Sequence, residues 1–216
     1  MKAYVFDAYG TLFDVHSVMQ KIEEKFPQKS DTISKEWRTR QVKYFMIRQL
    51  IDGYLPFDQL TKGALIDALE ASEVAYEDKD IEDLMEAYQH LQPYEEVATV
   101  TDQLQDKALT IFSNGTEGML QPLLKNNQLE NKFSLLSADD AKVYKPRPEA
   151  YQYAQNKLEI ENKSDILFMS SNPWDIAGAA SYGFQTAWIN RQGVKWPELG
   201  IKPTYTFKDL HGIINL

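Results

Sequence analysis

Cysteine is absent from the 216 residues. Disulfides, zinc thiolates and thiol nucleophiles are therefore excluded, and the composition suits a reducing compartment. No apolar run approaches the roughly 18 residues that a membrane span requires. The opening, Met1 to Asp7, passes from one lysine straight into a strand-like run without a signal-peptide core, so a cytoplasmic protein is expected. Positive charge is scarce: 23 basic residues stand against 32 acidic ones, a net charge of −9. Such a surface repels phosphate backbones and anionic headgroups, so neither nucleic acid nor membrane is expected as a partner. An anionic substrate would need a locally basic site. Only three histidines occur, and none has a spaced partner that would suggest a metal centre. His16 reads as a hinge or packing residue. No Gly-x-Gly-x-x-Gly is present, which removes the dinucleotide loop.

What is present is a globular composition, 43% hydrophobic and 12% aromatic. A chain of this length buries about 70% of its unfolded surface without staples. Short apolar runs recur at Ala3–Phe6, Ala108–Phe112, Ser134–Ser137, Ile166–Met169 and Thr186–Ile189. They lack strict alternation, as strands covered on both faces do. Helical patterns follow several of them, at about 117–125, 148–158 and 174–182. The expectation is an α/β fold with a doubly wound, mostly parallel open sheet.

One stretch breaks the rhythm. From Val15 to Gln92 nothing reads as a buried strand, while apolar residues recur at helical spacing around Trp37–Leu50, Leu60–Leu69 and Ile81–Tyr88. This predicts a helical cap subdomain over 15–92, inserted into a core domain of 1–14 and 93–216, with the sheet resuming near Glu95. The alternative is a helical decoration lying flat on the sheet. The acidic run Glu77–Asp80 reads as a solvated helix start.

In an open α/β sheet the loops at the carboxyl ends of the strands meet in one crevice. Four such loops are polar here. They are Asp7-Ala8-Tyr9-Gly10-Thr11-Leu12, Ser113-Asn114-Gly115-Thr116, Val143-Tyr144-Lys145-Pro146 (taken to end a strand) and Ser170-Ser171-Asn172-Pro173-Trp174-Asp175. Each alone is weak, since aspartate after a strand is often a cap and Ser-Asn-Gly often only a turn. Their order and placement together gather a carboxylate, a hydroxyl–amide pair, a lysine and a second carboxylate.

The four motifs resemble those of the haloacid dehalogenase superfamily. Phe6-Asp7-Ala8-Tyr9-Gly10-Thr11-Leu12-Phe13-Asp14-Val15-His16-Ser17, Trp37-Arg38, Tyr144-Lys145-Pro146, Ser170–Asp175 and Trp188-Ile189-Asn190-Arg191 resemble its L-2-haloacid dehalogenase branch. Most of the superfamily moves phosphoryl groups with magnesium, using a second aspartate two residues after the nucleophile. Here that position is Tyr9, whose phenol titrates near ~10 and is a mismatched shuttle at neutral pH. Phosphatases also carry an aspartate where Ser171 stands, so the carboxylate cluster that a hard cation prefers is incomplete. Halide leaves as a stable anion and needs no general acid.

The resemblance implies hydrolysis of a small 2-haloalkanoate with no metal or cofactor, and a homodimer. Asp7 would attack the α-carbon from the side opposite the halogen, giving an ester and inversion. Lys145 would hold Asp7 ionised, and Asp175 would activate the water that hydrolyses the ester, with Asn172 placing it. Arg38, Asn114 and Trp174 would cradle the halide. Thr11, Ser113 and Ser171 would bind the substrate carboxylate, and Tyr9, Val42, Phe57, Tyr151 and Trp174 would wall the alkyl group. Val42 and Phe57 lie outside the four motifs and read equally as core. The competing readings are a magnesium-dependent phosphatase and a catalytically silent interaction protein on the same fold.

Overall fold

The computed structural model describes residues 1–216. Six strands form one sheet: β1 (Ala3–Phe6), β2 (Leu109–Ser113), β3 (Ser134–Ser137), β4 (Ile166–Ser170), β5 (Gln185–Ile189) and β6 (Tyr205–Phe207). Every neighbouring pair is parallel, in the order β3-β2-β1-β4-β5-β6. Val5 sits opposite Thr110 on one side and Phe168 on the other. The inner strands β1, β2 and β4 are buried at every residue, which explains their unbroken apolar runs.

Eight helices complete the chain: α1 (Met19–Lys25), α2 (Ser30–Leu50), α3 (Phe57–Ala71), α4 (Asp78–Ala87), α5 (Glu96–Gln103), α6 (Glu117–Asn126), α7 (Pro148–Lys157) and α8 (Pro173–Tyr182). Alternation along β1 sends Ala3 and Val5 into a core with Tyr151 of α7 and Ile176 of α8. Tyr4 and Phe6 point the other way, into a core with Val97 of α5 and Leu120 of α6. That second core runs on without interruption into α1 to α4, through Ile22, Trp37, Phe45, Leu65 and Leu84. The indole of Trp37, 2% exposed, donates to the Thr61 carbonyl at 2.9 Å and ties α2 to α3. At the start of α4, Glu77 and Asp80 form a reciprocal capping box, and Asp80 also meets Lys25 of α1.

Two expectations need correction, and one strand had no counterpart among them. The sheet does not resume near Glu95: Val97, Val100 and Leu104 are a helical i, i+3, i+7 set, they are buried, and α5 precedes β2. Lys145-Pro146 does not end a strand. After β3 the chain makes a 3₁₀ turn over Ala138–Ala141, and Lys145 stands in the loop that leads to α7. The edge strand β6 was missed, since its three residues follow the polar stretch 190–204 and pair only with β5.

Candidate active site

The strand order reverses direction between β1 and β4, so the loops leaving these two strands face one another across the crevice. Asp7 follows β1, and its amide donates to the Met169 carbonyl at 2.9 Å. Its carboxylate, 6% exposed, is held differently at each oxygen. Oδ1 accepts from Lys145 Nζ at 3.1 Å. Oδ2 accepts from the hydroxyls of Thr11 (2.9 Å) and Ser170 (3.2 Å) and from Asn172 Nδ2 (2.8 Å). Gly10 permits the tight turn that returns Thr11 over Asp7: its φ of +85° lies in the left-handed region that a side chain disfavours.

Lys145 is fully buried and spends all three donors, on Asp7, on Asp175 Oδ2 at 2.7 Å and on the Phe112 carbonyl at 2.9 Å. The ammonium also lies between the rings of Phe112 and Phe168, 5.2 and 5.0 Å from their centroids. Burial works against its charge, but Asp175 and Asp7 outweigh burial and hold its pKa above the ordinary value. Asp175, in the first turn of α8, is fully buried as well and accepts from the Tyr151 hydroxyl at 2.7 Å. Burial pushes its carboxyl up to about 6, against the pull of Lys145. A buried cation between two buried carboxylates leaves one net negative charge at the nucleophile. No group of three or more His, Cys, Asp and Glu side chains stands close enough to hold a metal ion.

Arg38 reaches the same centre from α2. It donates to Gln41 Oε1 (2.6 Å), to Asn172 Oδ1 (3.3 Å) and to the Tyr9 carbonyl (3.4 Å). None of these partners is a carboxylate, which leaves a cation beside Asp7 in an acidic protein. Tyr9, Phe57, Phe45, Tyr144 and Trp174 form a run of aromatic contacts with centroids 5.1 to 6.1 Å apart. The Tyr9 hydroxyl is buried without a hydrogen-bond partner, and burial raises its pKa well above 10. Outside this centre, a cleft of about 320 Å³ is bordered by Arg38, Asn172 and Arg191.

The structure brings Asp7, Thr11, Lys145, Asn172, Asp175 and Arg38 together, and redirects other side chains. Tyr151 is no pocket wall: it packs on the far face of the sheet among Phe112, Phe168 and Phe184, and its hydroxyl serves Asp175. The Thr11 hydroxyl is committed to Asp7, while its oxygen accepts the Ser171 amide at 2.9 Å, so it is not free for a substrate carboxylate. The serine hydroxyl on Asp7 is Ser170, whereas Ser171 Oγ accepts from Arg191 at 3.0 Å. Ser113 Oγ accepts from the Gly115 amide at 3.1 Å, within its own turn. Asn114 pairs with the main chain of Lys145 in both directions (2.8 and 3.2 Å), which leaves it one amide hydrogen for a halide. Asn172 donates directly to Asp7 rather than standing off to place a water. Val42 is half-buried and packs against the large core cluster that includes Tyr9 and Phe57. Two contributors were missed. Ser170 carried a signal, since it closes β4 beside Asp7. Gln41, fully buried against Arg38 and Thr61, carried none beyond its place three residues after Arg38.

Comparison with known proteins agrees with this geometry. The haloacid dehalogenase-like hydrolase family matches residues 1–183. The chain is 40% identical to (S)-2-haloacid dehalogenase 4A of Burkholderia cepacia, over 100% of this chain and 91% of that one. It is 37% identical to haloacetate dehalogenase H-2 of Moraxella sp. (strain B), over 100% and 97%. Among solved structures, L-2-haloacid dehalogenase from Xanthobacter autotrophicus with chloropropionic acid covalently bound superposes with a TM-score of 0.93 at 31% identity, covering 100% of this chain and 98% of that one. The buried Asp7–Lys145–Asp175 centre at the switch point of a parallel sheet thus belongs to a haloacid dehalogenase-like hydrolase.

Proposed function

We propose that the chain hydrolyses short (S)-2-haloacids to (R)-2-hydroxy acids through an ester on Asp7, with inversion at the α-carbon. The observation that carries this reading is the unequal company of the two Asp7 oxygens. Oδ1 has a single donor, Lys145, and keeps a lone pair for attack. Oδ2 has three donors, Thr11, Ser170 and Asn172. When Oδ1 attacks carbon, the carbon–halogen bond breaks and halide leaves with the bonding pair. Oδ2 then becomes the ester carbonyl oxygen. Water adds to that carbonyl carbon, and the charge developing on Oδ2 falls on donors already in place, as in an oxyanion hole. Asp175, whose oxygens each keep a second lone pair, takes the water's proton. Collapse breaks the Cγ–Oδ1 bond, and the departing alkoxide takes back the proton held by Asp175. The hydroxy acid leaves with the former Oδ1, while Asp7 keeps the water's oxygen and gives its remaining proton to solvent. Arg38, the one cation at the site without a carboxylate partner, is assigned to the leaving halide together with Asn114 and Trp174, and the aromatic run from Tyr9 to Trp174 to the alkyl group.

Residues 15–92 are assigned as a cap over 1–14 and 93–216. A homodimer belongs to the same proposal, supported by the apolar side chains of Ile47, Leu50 and Ile51, which stand exposed at the end of α2; light scattering tests it. A cytoplasmic location accords with the lack of cysteine. A phosphatase would need a proton donor where the apolar-packed Tyr9 hydroxyl stands.

The test is isotopic. With enzyme in excess over (S)-2-chloropropionate in oxygen-18 water, the first turnover should give unlabelled (R)-lactate and a peptide containing Asp7 that is two daltons heavier. Labelled lactate beside an unlabelled peptide would establish direct displacement by water and overturn the ester.

A further inference from the structure

The two stretches that join the helical layer to the sheet run side by side. The Asp14 amide donates to the Gln92 carbonyl at 2.8 Å, the Tyr94 amide to the Leu12 carbonyl at 3.0 Å, and Phe13 and Pro93 form an antiparallel bridge. Arg191, two residues past β5, stands against this pair. Its guanidinium lies 3.7 Å from the centroid of the Tyr94 ring. Nε and Nη2 both meet Glu96 Oε1, at 3.0 and 2.6 Å. Nη2 also donates to the Thr11 carbonyl at 2.9 Å, and Nη1 to Ser171 Oγ at 3.0 Å and the Gly10 carbonyl at 3.5 Å. One side chain therefore grips the loop after β1, the loop after β4 and the segment returning from the helical layer.

Arg191 does not touch Asp7, but its partner Thr11 does. Thr11 donates its hydroxyl to Asp7 Oδ2 and accepts the Ser171 amide, so the two loops that Arg191 fastens are the two that aim the carboxylate. Lysine could not replace it: a tetrahedral ammonium cannot stack on Tyr94 and donate in the plane of the stack to four acceptors at once. Misplacing a reacting group by 1 Å costs on the order of 100-fold in rate. We propose that Arg191, held by Glu96, is a positioning residue: it fixes the aim of the Asp7 carboxylate and couples that aim to the two stretches joining the helical layer to the sheet. The proposal rests on the dehalogenase reading of the same site.

The experiment follows ester formation on Asp7 in single turnover with (S)-2-chloropropionate, by mass spectrometry on quenched full-length enzyme, per folded molecule. Arg191→Ala should form the ester about 100-fold more slowly than wild type, with KM changed less than about threefold. Millimolar guanidinium, added back, should recover about tenfold of that loss, and ammonium should recover none. Arg191→Lys should melt near wild type yet stay at least about tenfold slow. A merely structural role would move the melting temperature and the folded fraction, but not the rate per folded molecule or its rescue. Should Arg191→Ala fail to fold, Arg191→Lys decides: a folded Arg191→Lys at the wild-type rate overturns the proposal. Wild type that forms no ester overturns the dehalogenase reading as well, and is recognised before any variant is compared.

Discussion

At the scale of single residues, the paired carboxylates differ in what they must do and in what surrounds them. Asp7 has to be anionic and aimed, so replacing one oxygen by an amide should remove turnover without disturbing packing. Asp7→Asn should lose more than about a thousandfold in chloride release while its circular dichroism matches wild type. Asp175 has to be ionised to take a proton, yet burial pushes its carboxyl up to about 6. Below pH 6 the ionised fraction falls about tenfold per unit, and the hydrolytic step should fall with it. A pre-steady-state burst of chloride followed by slow turnover at pH 5, and no burst at pH 7.5, would identify this limb with ester hydrolysis; a flat profile from pH 5 to 7.5 would remove Asp175 from the role. For stability the same shift acts in the opposite sense to an ordinary ion-paired carboxylate. With its folded pKa above the unfolded one, Asp175 contributes stability that is complete below about pH 4 and lost as pH rises through about 6. Motif residues such as Asp7, Asn172 and Asp175 were legible in the sequence because each is fixed to a strand end or a first helical turn. The choice between Ser170 and Ser171 was not, because neighbouring side chains at a strand end point to opposite sides and the pleat decides which meets Asp7. Tyr151 was misplaced for a related reason: the face of α7 that it occupies is set by packing against α8, which the spacing in one helix does not reveal.

Among the elements, α7 and α8 approach closely because Gly178 has no side chain. A Cβ there would come within 2.6 Å of the Tyr151 hydroxyl and of Pro146 Cβ, and 3.0 Å from the Pro146 carbonyl. Gly178→Ala should therefore push on the loop that carries Lys145 and on the hydroxyl that serves Asp175. The expected outcome is a loss of about 1–3 kcal/mol in denaturant unfolding, together with a lower kcat. Gly63, inside α3, has no atom within 4 Å of the same construction. Gly63→Ala should stabilise by about 0.4–1 kcal/mol and leave kcat alone. Helix and strand periodicity carried most of this layer of structure: β1, β4 and the helices from α2 to α4 and α6 to α8 follow from apolar spacing alone. What escaped was short or partly polar. In α1 a single residue, Ile22, is buried, and β6 is three residues paired on one side. In α5, β-branched Val97 and Val100 favour a strand by propensity, while their spacing belongs to a helix.

For the molecule as a whole, a net charge of −9 opposes the approach of a haloalkanoate anion, and the site's unpaired Arg38 is a local exception. Screening the global field should help more than screening one half-buried arginine hurts. Raising ionic strength from about 10 to 150 mM with sodium sulfate, which avoids halide competition, should lift kcat/KM for 2-chloropropionate roughly twofold to fivefold. A decline over that range would show that attraction by the site outweighs the global repulsion. The same whole-molecule view bears on the crossing at Phe13 and Pro93, where the Asp14 amide lies 2.8 Å from the Gln92 carbonyl. The chain leaves the sheet and returns to it through one doorway. For the sheet, everything between is equivalent to a tight turn, and its closing entropy depends only weakly on what is strung between the posts. As far as chain closure goes, the proposed cap over residues 15–92 is exchangeable. A replacement of another length between residues 14 and 92 should leave the strand order unchanged only if it covers the apolar side chains, such as Leu12 and Phe13, that now share one core with α1 to α4. Any replacement would also have to supply the cation that Arg38 now brings from α2 to Tyr9 and Asn172.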